Sequence, residues 1–123
     1  MAEKMLVIDD APVIRAFLED VLTDFGYEVE TAENGQIGYE KAKMNEYAII
    51  FCDVHMPVLN GLQTVIAIKK LKPESRIVIT DSFPDRQAEQ AAKAGAFCCL
   101  TKPFDLDELK AIIAKLIRDK VAR

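Results

Sequence analysis

The chain has 123 residues, of which 50% are hydrophobic and 29% charged, a balance that fits one globular domain and excludes a disordered chain. The net charge of −4 argues against direct nucleic-acid binding, and the longest apolar run, the six residues Tyr47–Cys52, is far short of the roughly 20 that a membrane helix needs. Cys52, Cys98 and Cys99 form neither a disulfide framework nor a zinc pattern, which, with no secretory signal pattern at the start, predicts reduced thiols and a cytoplasmic location.

Five short apolar runs alternate with helical patterns along the chain, which predicts five β-α units in series. Four of the runs are almost continuously apolar, as is typical of parallel strands buried on both faces. The second run alternates Tyr27 and Val29 with Glu28 and Glu30, which indicates an edge strand with one exposed face. The predicted strands are Met5–Ile8, Glu28–Thr31, Ala48–Cys52, Ile77–Thr80 and Phe97–Leu100.

The helices between these strands carry recognisable start and stop signals. Apolar residues at helical spacing from Val13 to Phe25 predict a first helix that stops at Gly26. Asn34 can cap the second helix, in which Gly38 is expected to cost roughly 1 kcal/mol relative to Ala. The third and fourth helices are predicted over 61–71 and over 86–94, and the fifth opens with Asp105 and Glu108 in capping-box spacing.

A repeated β-α unit predicts a parallel sheet with helices on both faces, which is a doubly wound, three-layer α/β fold. We expect residues 1–123 to form this single domain, with no output domain attached. In such open sheets, ligands bind beyond the carboxyl ends of the strands, at the point where the strand order reverses. If the order is 2-1-3-4-5, strands one and three are neighbours at that point.

Polar residues stand at the carboxyl ends of four predicted strands. Asp9 and Asp10 follow strand one, Asp53 follows strand three, Thr80 ends strand four and Lys102 comes soon after strand five. Three carboxylates in one crevice repel one another unless a cation offsets them, and oxygen ligands without His or Cys favour Mg²⁺. With a lysine and a hydroxyl to bind phosphoryl oxygens, this set predicts phosphoryl transfer to an aspartate.

Each of these residues, taken alone, has an ordinary structural explanation. Asp9 and Asp10 could simply cap the first helix, and Asp53 could be a turn residue. Thr80 could be a plain strand residue, and Lys102 before a proline carries little information. Their joint position at one edge of the predicted sheet favours a functional site.

Four motifs combine these residues with their neighbours: Ile8-Asp9-Asp10, Asp53-Val54-His55-Met56-Pro57 with Asn60-Gly61, Val78-Ile79-Thr80, and Gly95-Ala96 leading to Lys102-Pro103-Phe104. Together they resemble the response-regulator receiver family of two-component signalling. The resemblance covers essentially the whole chain and implies a flavodoxin-like fold with strand order 2-1-3-4-5. A receiver domain without an output domain, as expected here, is similar to two members of the family, the chemotaxis regulator and the sporulation phosphorelay intermediate.

The resemblance also implies roles for the residues at the site. Asp53 would be phosphorylated, with Mg²⁺ as the cofactor. Asp10 would bind the ion directly, Asp9 through water, and Asp53 and the backbone carbonyl of His55 would complete the protein ligands. The side chain of His55 is interpreted as a solvated loop residue, because no second His or Cys accompanies it.

By the same resemblance, Thr80 and Lys102 would bind the phosphoryl group, and the Lys102–Pro103 peptide bond would be cis. The donor would be a sensor histidine kinase or a phosphotransfer protein. The phosphorylated domain would then change its binding to a downstream protein, without contacting nucleic acid or inserting into a membrane. Such a domain is not expected to be an enzyme beyond assisting its own phosphorylation and dephosphorylation.

Two positions depart from the family pattern and bear on switching. The residue three before the lysine, usually an aromatic that rotates inward, is Cys99, and the residue after Thr80, usually small, is Asp81. A cysteine cannot supply the packing of an aromatic ring, so we expect Phe83, in the loop after strand four, to move instead. The response would then pass through this loop to helix four.

Other functions remain as alternatives to the phosphorylated switch. The departures at Asp81 and Cys99 would also suit a receiver-fold interaction module that is not phosphorylated, although retention of the acidic, Thr and Lys positions favours the switch. A phosphatase of the haloacid dehalogenase type is disfavoured, because it would carry a second Asp where this chain has His55. A flavin-binding protein is also disfavoured, because it would carry a loop rich in Ser, Thr and Gly after strand one, which this sequence lacks.

Overall fold

The computed structural model describes residues 3–81 and 86–121 of the chain, and strands and helices alternate along them. The strands are β1 (Lys4–Ile8), β2 (Glu28–Ala32), β3 (Ile49–Asp53), β4 (Ile77–Asp81) and β5 (Cys98–Thr101). The helices are α1 (Pro12–Asp24), α2 (Gly35–Met44), α3 (Gly61–Leu71), α4 (Arg86–Lys93) and α5 (Leu106–Val121). None of the described helices combines the length and the apolar character needed to span a bilayer.

The five strands form one parallel sheet in the order β2-β1-β3-β4-β5, which confirms the predicted doubly wound fold. Alternate strand residues face opposite helical layers. Leu6, Ile8 and Cys52 pack on the side of α2, α3 and α4, whereas Val7 and Phe51 pack on the side of α1 and α5. Strand β2 lies at one edge of the sheet, as its alternating pattern predicted.

Four of the five strands end one residue beyond the predicted end. Backbone pairing continues through polar residues after the apolar run has stopped, so that Asp53 pairs with Thr80, and Asp81 with Thr101. The prediction that Phe97 belongs to the fifth strand is wrong. β5 begins at Cys98, and Phe97 lies just before it, with its amide bonded to the Ile77 carbonyl. Phe97 is 41% exposed, and the Lys115 ammonium lies 5.3 Å from the centroid of its ring.

The predicted helix signals are present in the structure. Gly26 follows α1 with φ +98°, a conformation that favours glycine. The Asn34 side chain accepts a hydrogen bond from the Ile37 amide at 2.8 Å and so caps α2. Asp105 caps α5 by accepting from the amide of Asp107. Helix α4 ends at Lys93, one residue before the predicted end, and Ala88 and Ala91 are its buried residues.

Close packing against β1 explains why position 38, inside a helix, is a glycine. A Cβ atom at this residue would lie 2.3 Å from Cδ1 and 2.7 Å from Cγ1 of Ile8. Ile8 is buried at the end of β1, directly before the two aspartates, and has little room to move. Glycine at this position therefore allows α2 to lie close against the strand that carries Asp9 and Asp10.

We expect Gly38→Ala to lower the free energy of unfolding by about 1–3 kcal/mol, because overpacking against Ile8 outweighs a helix-propensity gain of up to about 1 kcal/mol. Urea unfolding of both proteins measures the change. The control is Ile8→Val, which removes the Cδ1 methyl group. The double variant should lose less stability than the sum of the two single losses. Strict additivity would contradict the packing explanation.

Candidate functional site

Three carboxylates meet at the carboxyl ends of β1 and β3. Because these strands are neighbours and Ile8 pairs with Cys52, the residues that follow them are brought together. One carboxylate oxygen each from Asp9, Asp10 and Asp53 lies within 4.8 Å of the others. Asp9 is 1% exposed and Asp53 is 6% exposed, whereas Asp10 lies on the surface. The structure thus brings together the acidic residues predicted for the site.

Lys102 enters this cluster from the loop after β5. Its ammonium donates to Asp9 Oδ2 at 2.9 Å and to Asp53 Oδ1 at 3.2 Å, and its side chain is only 13% exposed. The backbone holds it there, because its amide donates to the Asp81 carbonyl at 2.8 Å. The Lys102–Pro103 peptide bond is cis, as the family resemblance implied. Such charge-assisted hydrogen bonds place a cation between two of the three acids.

The electrostatics of the cluster are unbalanced. Burial, and then the charge of Asp9, raises the pKa of Asp53 to about 6, although the Lys102 ammonium opposes the rise. Burial also disfavours the charged form of Lys102, but its hydrogen bond to Asp9 and the charge of Asp53 outweigh this and raise the lysine pKa. One ammonium for three carboxylates leaves the cluster with excess negative charge.

The donor atoms at the cluster suit a hard divalent cation. The ligands on offer are carboxylate oxygens, which Mg²⁺ and similar ions prefer. Cys52 precedes Asp53, but burial raises the pKa of its thiol above the usual value, so a thiolate ligand is disfavoured. A divalent cation at these carboxylates would balance the charge that Lys102 leaves uncompensated. The residues present therefore fit the predicted metal.

Thr80 and His55 flank Asp53 in different ways. Thr80 is buried and pairs with Asp53 across β3 and β4, so that it stands beside the central carboxylate. The His55 side chain is 53% exposed, and its Nε2 lies 3.9 Å from Oδ2 of Asp81. A phosphoryl-binding role for Thr80 and a metal-binding role for the His55 carbonyl stay predictions.

The predicted switch residues are only partly described. Cys99 is half-buried in β5, where it packs against the core on the side of α3 and α4. Phe83 and the other residues of 82–85 lie outside the described residues. Their predicted movement therefore stays a prediction.

The glycine of the Asn60-Gly61 motif is explained by its close approach to the backbone of β3. A Cβ atom there would lie 2.6 Å from the Asp53 carbonyl oxygen and 2.6 Å from Cα of Val54. Asn60 caps α3 by accepting from the Gln63 amide at 2.9 Å. The start of α3 therefore packs on the backbone of Asp53 itself, which fixes the end of β3.

Sequence reasoning missed Arg15. Its guanidinium donates from Nη1 to the backbone carbonyl of Asp9 at 2.7 Å. The available signal was a basic residue in the second turn of the first helix, close in sequence to two aspartates, but such a residue is usually read as an exposed helix cation.

Comparisons with known proteins agree with this geometry. A family model described as the response regulator receiver domain matches residues 5–114. The chemotaxis protein CheY of Thermotoga maritima is 35% identical over 106 residues, which cover 85% of this chain and 88% of that protein. CheY of Bacillus subtilis is 31% identical over 119 residues, covering 95% and 99%. The crystal structure of response regulator TrrA from Thermotoga maritima, in complex with Mg²⁺-BeF, has a TM-score of 0.86 at 33% identity and covers 93% and 98%.

Asp53→Asn should stabilise the metal-free protein at neutral pH. The pKa of Asp53 is raised from 3.8 to about 6, so the folded protein favours the protonated carboxyl group. The protonated group therefore contributes its full stabilisation below pH 3.8, and this contribution is lost as the pH rises through about 6. The neutral amide escapes this loss, so we expect a gain of about 1 kcal/mol at neutral pH that shrinks towards pH 3.8. Thermal unfolding in EDTA measures it.

The control for this change is Asp20→Asn, which removes an exposed carboxylate from α1 and should show no comparable gain. An Asp53→Asn protein that is equally stable or less stable than wild type at neutral pH would contradict the electrostatic explanation.

Proposed function

Because this chain belongs to the response regulator receiver domain family, we propose that it is a phospho-acceptor switch in which Asp53 takes a phosphoryl group from a sensor histidine kinase or phosphotransfer protein. The observation that supports this most directly is the Lys102 ammonium within hydrogen-bonding distance of both Asp9 and Asp53. A buried carboxylate beside a lysine and two further acids has the parts needed for phosphoryl transfer.

In the proposed reaction, a carboxylate oxygen of Asp53 attacks phosphorus, the bond from phosphorus to the donor breaks, and the donor leaves with that electron pair. A pKa of about 6 leaves Asp53 mostly ionised at neutral pH, as a nucleophile must be. The Lys102 ammonium would bind a phosphoryl oxygen, and Thr80 would donate to another. A Mg²⁺ ion bound by Asp9, Asp10, Asp53 and the His55 carbonyl would supply further positive charge to the phosphoryl oxygens.

We propose that the response passes from Thr80 through the loop after β4 to α4. Thr80 lies within β4, whose last residue is Asp81, so that a pull on the Thr80 side chain would act on the segment leading to α4. Helix α4 has eight residues, and its buried residues are the small side chains of Ala88 and Ala91. Small buried side chains give up little apolar contact when a helix shifts.

Several broader features belong to the same proposal. Residues 1–123 would act as a single receiver domain, in the cytoplasm, signalling by protein contacts rather than by binding nucleic acid. The chain would assist its own phosphorylation and dephosphorylation and would turn over no separate substrate.

Acetyl phosphate with Mg²⁺ should add one phosphoryl group to the wild type and none to Asp53→Ala, as measured by intact mass. Lys102→Ala should slow the modification about tenfold or more, since it removes the cation that faces the transferring group. The matched control is Lys70→Ala, an exposed lysine on α3, which should react at the wild-type rate. An unmodified wild type would instead favour an interaction module.

Cys99→Tyr should leave the rate of Asp53 phosphorylation nearly unchanged but alter the response of α4, because a tyrosine adds a bulky ring where the wild type has a small side chain. Hydrogen exchange of α4 amides, with and without a beryllofluoride phosphoryl mimic, measures that response. The wild type should change its protection in α4 when the mimic is added. A change confined to β5 would contradict a readout through α4.

A further inference from the structure

Every polar group of Asp9 is engaged by another described residue. Its amide donates to the Ala32 carbonyl at 3.1 Å, which extends the pairing of β1 with β2. Its Oδ1 accepts from the Ala11 amide at 2.9 Å, and its Oδ2 accepts from Lys102 at 2.9 Å. The remaining group, its backbone carbonyl, accepts from Arg15 Nη1 at 2.7 Å. Asp9 is therefore held rigidly at the start of the turn between β1 and α1.

Asp10 has no such support from its own side chain. It is exposed, and among the described parts of the chain it forms neither a hydrogen bond nor an ion pair. The position of its carboxylate therefore depends on its backbone. The Asp9 carbonyl and the Asp10 amide belong to one planar peptide unit, so a hydrogen bond to that carbonyl orients the plane from which Asp10 extends. Arg15 makes this hydrogen bond.

Helix stability does not account for an arginine in this place. The N-cap of α1 is Ala11, which makes no side-chain capping bond, and the first turn holds no acidic residue. A cation near a helix N-terminus is disfavoured by the helix dipole. The half-buried Arg15 side chain nevertheless returns to the turn and bonds the Asp9 carbonyl. Its contact is with the acidic turn, not with the helix that carries it.

We propose that Arg15 is a positioning residue for the divalent-cation site, holding the peptide between Asp9 and Asp10 so that the Asp10 carboxylate is directed to the ion. This inference rests on the metal site included in the proposed function and assigns to that site a residue outside its ligands. Partners that orient ligands in this way typically change metal affinity about 10–100-fold when they are removed.

The sign of the effect separates positioning from simple electrostatics. Removing a positive charge near three carboxylates should, by charge alone, strengthen the binding of Mg²⁺. Loss of positioning should weaken it. Arg15→Met removes the guanidinium and keeps much of the apolar stem. Arg76→Met removes the same charge at the amino-terminal edge of the sheet, directly before β4, and serves as the matched control.

The test is calorimetric titration of the full chain with MgCl₂, together with thermal unfolding in EDTA. We expect Arg15→Met to raise the Kd for Mg²⁺ about tenfold while its unfolding midpoint in EDTA stays close to that of the wild type. Arg76→Met should leave the Kd within about twofold, a fold-change that corresponds to a few tenths of a kcal/mol. Arg15→Lys, which keeps a charged donor, should bind more tightly than Arg15→Met. Hydrogen exchange at the Asp10 and Ala11 amides should be faster in metal-free Arg15→Met.

Several outcomes would overturn the inference. An unchanged or lower Kd in Arg15→Met would mean that only charge matters, and an Arg15→Lys protein as weak as Arg15→Met would show that the donor has no role. A marked loss of stability of Arg15→Met in EDTA would make Arg15 an ordinary stabilising residue. If the wild type itself bound no Mg²⁺, the metal site of the proposed function would fail first, and the two failures are thereby distinguishable.

Discussion

The Lys102 ammonium between the carboxylates of Asp9 and Asp53 is the interaction on which the rest of the site depends. Without it, the three carboxylates, whose oxygens lie within 4.8 Å of one another, would form no ion pair with a described residue. With it, Asp53 keeps a pKa of about 6 despite its burial, and so remains mostly ionised at neutral pH. One ammonium beside three carboxylates also leaves an excess of negative charge, which a divalent cation would neutralise.

This interaction can form only because the sheet is doubly wound. Lys102 is separated from Asp9 by 93 positions and from Asp53 by 49. Parallel strands place all their carboxyl ends at one edge, and the order β2-β1-β3-β4-β5 makes β1 and β3 neighbours there. The fold thus brings these distant segments together, and the residues at the strand ends and in the loops after them carry the opposite charges.

Close packing on one side of the sheet holds the acid-bearing segments in place. Gly38 lets α2 lie against Ile8, directly before Asp9. Gly61 lets α3 start on the backbone of Asp53. Arg15 then binds the turn between the first two aspartates from the other side. The site is therefore supported by backbone contacts around it, whereas α4, which has only small buried side chains, has less to hold it.

The sequence by itself determined the elements and the chemical types at the site. Apolar runs predicted the strands to within one residue at their ends, and Asn34, Gly26 and Asp105 marked helix ends, because these signals act within a few residues. Aspartates at strand ends predicted an acidic site because parallel strands share an edge. The strand order needed the family resemblance, since periodicity carries no information about which strands are neighbours.

Only the tertiary structure decided how these residues meet. The bridge from Lys102 to two acids, the burial that raises the pKa of Asp53, and the exposure of Phe97 depend on register and packing between distant segments. Gly38 was read from the sequence as a cost to its helix, and the position of Ile8 showed why it is needed. The role inferred for Arg15 rests on a hydrogen bond from its side chain to a backbone carbonyl, and such a contact cannot be predicted from the hydrophobic pattern of the sequence.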